Sequence, residues 1–100
     1  MLHVVAIVTA KPGKRAEVLA QFRAIVPTVL AEAGCLEYGP VVDAGVPGLP
    51  EFGPDVFLVI EKWESAEALA IHSKAPHMLA YGAATADLVA SVRVYPLVNA

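Results

Sequence analysis

Apolar residues fill positions 2–10 almost without a break, and Val4, Val5, Ile7 and Val8 dominate them. Such a run predicts a strand covered on both faces. Lys11-Pro12-Gly13 marks a turn. The period then changes: Val18, Phe22, Ile25 and Val29 recur at helical spacing within residues 13–33, and Leu19, Val26 and Leu30 widen the stripe. Pro27 falls inside this pattern and predicts a kink or the loss of a turn, while Gly34 suits a C-cap. A second strand is predicted over 35–43. Ala44 to Pro54 is too rich in Pro and Gly to be regular and reads as a lid, a dimer-contact arm or a connector. The third strand, 55–63, alternates two sets. Val56, Leu58, Ile60 and Lys62 read as the helix-covered face, and Phe57, Val59, Glu61 and Trp63 as a face able to line a cavity. Ser65 is an N-cap for a helix to Ser73, Pro76 opens another through about residue 87, and 89–97 is the last strand.

Strand, helix, strand, strand, helix, strand is the split βαβ order. It predicts an α+β, ferredoxin-like domain over residues 1–100, with an antiparallel sheet and helices on one face. Composition sharpens this. Hydrophobic residues make up 57% of the chain and charged residues 17%, a surplus that a domain of this size must hide in a ligand cavity, an oligomer interface or both. A second copy over the open sheet face is the expected cover.

Charge and cysteine narrow the classes. The formal net charge is −3 with seven scattered Lys and Arg residues, so nucleic-acid binding is not expected. Cys35 is the only cysteine, which excludes an intrachain disulfide, and it reads as a small buried residue. No apolar run reaches the ~20 residues of a membrane span, and Met1–Val5 lacks a signal-peptide pattern. The expected setting is cytoplasmic.

The chemistry gathers at one corner. Glu61, Trp63 and His72 flank the Ser65 cap, where a strand passes into a helix. Histidine is the side chain whose unperturbed pKa is near working pH, so His72 is the candidate base, although it could simply cap its helix. Glu61 could orient His72 or act as the base itself, or pair with Arg93 of the last strand. Trp63 and Tyr38 could hold an aromatic ring and donate hydrogen bonds, or serve as packing anchors. Phe57 and Tyr81 complete the candidate substrate contacts. His77, beside Pro76, reads as exposed, and His3 as structural. A metal site from His3, His72, His77 and Glu61 would need three distant segments to meet, and none is expected.

Taken in order, Glu32-Ala33-Gly34-Cys35-Leu36-Glu37-Tyr38, Phe57-Leu58-Val59-Ile60-Glu61-Lys62-Trp63, Ser65-Ala66-Glu67-Ala68-Leu69 with His72, and Ala75-Pro76-His77-Met78 with Tyr81 resemble the antibiotic biosynthesis monooxygenase family over nearly the whole chain. The resemblance implies a homodimeric α+β barrel with a pocket between sheet and helices. It also implies oxidation of a quinol or polycyclic phenol by molecular oxygen without metal or flavin. Haem-degrading relatives carry Asn, Trp and His where Ala6, His72 and Gly82 stand here, so haem cleavage by that route is not expected. Two other functions share the same residues: a non-catalytic dimeric binding module, and an oxygen-independent isomerase or decarboxylase.

Overall fold

The computed structural model describes residues 1–100. Four strands, β1 (Leu2–Ala10), β2 (Cys35–Val41), β3 (Val56–Trp63) and β4 (Val89–Leu97), alternate with helices α1 (Arg15–Leu30), α2 (Ala66–Ser73) and α3 (Pro76–Thr85). They form one antiparallel sheet in the order β2-β3-β1-β4. The two central strands each sit between the members of a crossover pair, which is the predicted ferredoxin-like fold. No helix is long and apolar enough to cross a membrane.

The sheet register assigns the faces. Val4, Ala6, Val8 and Ala10 of β1 are buried on the helix side, as are Phe57, Val59, Glu61 and Trp63 of β3. This corrects one expectation. Val56, Leu58, Ile60 and Lys62 face the open side of the sheet and are only half-buried. Both sets are apolar enough to be core, so alternation alone cannot say which one the helices cover. Lys62 is the clue, and its ammonium lies 3.9 Å from the Glu37 carboxylate at the exposed edge. The set with Trp63 is therefore both core and cavity wall.

Phe22 of α1 is the centre of the core. Its ring stacks on Tyr38 at a centroid distance of 5.3 Å and packs against Phe57 at 5.5 Å. Helix α1 runs through Pro27 without interruption and ends one turn later, so the proline shortens the helix rather than breaking it. The cap residue is Ala31, not Gly34. Gly34 adopts φ +84° and lies where an added Cβ would meet the Ala68 Cβ at 2.7 Å. Its carbonyl accepts the Glu64 N–H at 2.8 Å. This close approach presses the α1–β2 turn against α2 and sets the position of Glu32. At the start of α2, Ser65 caps as predicted, its Oγ accepting the Ala68 N–H at 3.1 Å.

The residues after β2 close on themselves. The Asp43 carboxylate accepts the N–H groups of Phe52 and Gly53, both at 2.9 Å, and these bonds hold its pKa below the usual carboxylate range. Val46, Leu49 and Phe52 stay exposed at the tip.

Candidate active site

A cavity of about 470 Å³ opens between the helix side of the sheet and α2 and α3, within the ~300–1,000 Å³ usual for small-molecule sites. Ala6, Val8, Val59, Val92 and Val94 form its sheet wall; Phe22, Leu69, Met78 and Thr85 supply much of the helix wall. Val92 and Val94 are about half exposed although they sit opposite the core residues Val8 and Ala6. The helices leave that edge of the sheet uncovered, and this forms the mouth. Into the apolar interior project Tyr38, Glu61, His72 and Tyr81.

Glu61 is 5% exposed, and its Oε1 accepts the Trp63 indole N–H at 2.9 Å. Burial raises its pKa, against the opposing pull of that bond and of the His72 imidazole, while the charge of Glu32 adds to the rise. The carboxyl is thus held above the usual glutamate range. Burial also raises the hydroxyl pKa of Tyr38, helped by the Glu61 charge, and pushes that of Tyr81 up to about 12. Both phenols stay protonated at working pH and are free to donate.

His72 is held from three sides. Its ring lies 4.7 Å from that of Trp63 and meets that of Tyr38 nearly edge-on at 5.3 Å, centroid to centroid. Its Nδ1 lies 2.8 Å from Oε2 of Glu32, and the same oxygen lies 2.9 Å from Nε2 of His77. An ionised carboxylate only accepts, so the proton sits on His72 Nδ1. In the neutral ring this leaves Nε2 as an acceptor. Nε2 of His72, Oε2 of Glu61 and the Tyr38 hydroxyl have no partner within the chain, yet none is sealed from solvent. All three residues line the cavity, which brings an imidazole, a buried carboxyl and a phenol to one apolar space.

Of the residues singled out from sequence, Tyr38, Glu61, His72 and Tyr81 meet here. Trp63 and Phe57 do not line the cavity. Both are fully buried behind it, Trp63 as the partner of Glu61 and His72 and Phe57 as packing for Phe22. Arg93 pairs in register with Ile7 on the open face, so it cannot reach Glu61; Trp63 takes that place. Nor does Glu61 orient His72: Glu32 does. His77 is bonded and half-buried rather than exposed. Cys35 is also half-buried, burial raising its thiol pKa. His3 stands away from the site, bonded to the Asn99 side chain at 3.0 Å. Residues 44–54 contribute nothing to the cavity wall. Ala6, His72 and Gly82, the positions compared with haem-degrading relatives, all line the cavity.

Glu32 is the residue that sequence reasoning missed. It sits in a turn outside every periodic element, and its partners lie 40 and 45 residues further along the chain. Nothing local marks it; only the Gly34 approach brings it under α2.

Known proteins resemble this chain in sequence and in fold. The profile of the family described as "Antibiotic biosynthesis monooxygenase" matches residues 1–84. The "probable quinol monooxygenase YgiN" of Escherichia coli K12 is 48% identical over 88 residues, covering 84% of each chain. Among solved structures, PA3566 of Pseudomonas aeruginosa superposes with a TM-score of 0.82 at 29% identity, over 99% of this chain and 93% of its own. Rv0793 of Mycobacterium tuberculosis gives 0.81 at 26%, over 99% and 94%. A family match over residues 1–84, and a relative 48% identical over 88 residues, leave one assignment: the chain belongs to the antibiotic biosynthesis monooxygenase family and is an oxidoreductase of the monooxygenase type.

Proposed function

We propose that the protein hydroxylates a quinol or polycyclic phenol with molecular oxygen, using its own side chains and the electrons of the substrate. The observation that carries this reading is His72, its Nδ1 bonded to Glu32 and its side chain lining an apolar cavity that also holds a buried carboxyl and two protonated phenols. The relative named as a probable quinol monooxygenase supports the substrate class.

His72 Nε2 takes the proton of one substrate hydroxyl, giving an electron-rich aryloxide. The Tyr38 and Tyr81 hydroxyls, kept protonated by burial, donate to that oxyanion. Glu61 holds the second hydroxyl, and the apolar walls exclude water from the charged intermediate. A dihydroxyarene so activated supplies all four electrons that oxygen needs. One oxygen atom enters the ring, the other leaves as water, and the product is a hydroxyquinone. Trp63 acts at one remove, through its contacts with Glu61 and His72.

The unit is a homodimer closed through the open sheet face, where Val5, Ile7, Leu58 and Ile60 are adjacent in register and only half-buried. The exposed tip at Val46, Leu49 and Phe52 is an arm toward the partner.

The test is oxygen uptake by the metal-free protein with a panel of reduced naphthoquinols and hydroxylated polycyclic phenols, alongside His72→Ala. Uptake above autoxidation, reduced roughly 10²–10⁴-fold in the variant, is the expected result. Ligand binding with no uptake across the panel would replace this reading with that of a binding module. Product formed without oxygen would point to an isomerase or decarboxylase.

A further inference from the structure

We propose that Glu32, His72 and His77 form a binding site for one divalent transition-metal ion, and that occupancy switches off His72 as a base. Two imidazoles and a carboxylate suit ions of the zinc, cobalt and iron(II) class, and three protein ligands leave a coordination position for water.

The site is built into the fold. The three side chains are 13%, 6% and 24% exposed in the order Glu32, His72, His77, so they are largely desolvated while His77 leaves a way in. Their ligating atoms lie within 4.8 Å of one another, with both ring nitrogens aimed at the same carboxylate oxygen. Ligands around a tetrahedral zinc ion stand about 3.3 Å apart, given bonds of roughly 2.0–2.1 Å. The oxygen therefore needs to retreat only a few tenths of an ångström from each nitrogen, while the nitrogens close on one another. The backbone fixes the two histidines: the Ala75 N–H bonds to the His72 carbonyl at 3.1 Å, and Pro76 begins α3 immediately before His77. Neither Glu32 nor His77 lines the cavity, so an ion here sits behind its wall.

The coupling to His72 is a matter of tautomers. Without metal, Nδ1 carries the proton and Nε2 offers a lone pair to the cavity. A metal takes the lone pair of Nδ1, so the proton of the neutral ring must move to Nε2. His72 then presents an N–H to the cavity and can no longer accept a proton. This second half rests on the reading of His72 as the base; the metal site itself does not.

The experiment titrates chelator-stripped protein with zinc, by calorimetry, and with cobalt(II), by visible absorption. One ion per chain is expected, with the absorption of low-coordinate cobalt. Affinity should fall roughly tenfold or more in His77→Ala and in Glu32→Gln, with circular dichroism confirming the fold of each, and stay unchanged in His3→Ala. No saturable binding, or binding that survives both ligand variants, overturns the site. A parallel arm compares oxygen uptake with and without saturating zinc, as a ratio within each protein so that differences in basal rate cancel. Uptake suppressed in the parent chain but not in His77→Ala supports the switch. Uptake unchanged or raised with zinc bound overturns it. If no substrate of the panel is oxidised, the binding arm still decides the site.

Discussion

A single carboxylate oxygen, Oε2 of Glu32, stands 2.8 Å from Nδ1 of His72 and so favours the proton on that nitrogen, leaving Nε2 as the acceptor of the neutral ring. Glu32→Gln replaces an obligate acceptor with a group that can also donate, and the tautomer is no longer fixed. Turnover is expected to fall about 10–100-fold with KM little changed, a smaller loss than in His72→Ala. Steady-state oxygen uptake measures both. Equal losses in kcat/KM arising wholly from KM would show that Glu32 serves binding instead.

Glu61 predicts a pH dependence of stability. Its pKa is raised in the folded state by burial, so the native protein binds the proton more tightly than the unfolded chain. That contribution to stability is fully present below the ordinary glutamate value of about 4.3 and is lost as pH rises through the raised value. Glu61→Gln keeps an acceptor for Trp63 and has no charge to bury. Denaturant midpoints should therefore fall with rising pH above this point more steeply for the parent chain than for the variant. Parallel curves would remove the desolvation argument.

Gly34 predicts a backbone-level coupling between fold and site. Gly34→Ala meets the Ala68 Cβ at 2.7 Å and forces φ +84° on a residue with a side chain. A loss of roughly 1–3 kcal/mol is expected in urea unfolding. Ala68→Gly in the same chain should recover the steric part and leave the φ strain. Because this approach seats Glu32 beneath α2, His72-dependent turnover should fall in the single variant and recover partly in the double.

Assembly is read most directly by mass. Sedimentation should give twice the 10.5 kDa of one chain, and Ile60→Glu, placed in the middle of the open face, should give a single chain. A 10.5 kDa species from the unmodified protein at micromolar concentration contradicts the proposed dimer.

The periodicity of the chain carried the fold. All four strands lie within a residue or two of their predicted bounds, because the change from period 2 to period 3.6 is a local signal. The helix ends moved inward, to Arg15 and Leu30 and to Thr85, where turn geometry rather than the apolar stripe decides. At the site, His72 and Glu61 were legible because a charged or titratable group in an apolar run is costly unless it has a purpose. Glu32 was not legible, since its partners are brought to it only by the close approach at Gly34. The placing of Trp63 and Phe57 behind the cavity was hidden for a related reason. An aromatic side chain on an inward strand face reads the same whether it touches ligand or core.

Strand β3 keeps two surfaces apart within eight residues. Its odd positions, Phe57 to Trp63, face the helices and the cavity, while its even positions, Val56 to Lys62, face the open side. Inheritance can therefore act on the two separately. Substitutions at 59 and 61 can retune what the cavity accepts while the strand's outer face, and whatever it meets, stays as it was. An insertion or deletion of one residue in β3 would exchange the two sets at once, losing the cavity wall and the outer face in a single step. Among descendants of this sequence, β3 should vary readily in identity and hardly at all in length.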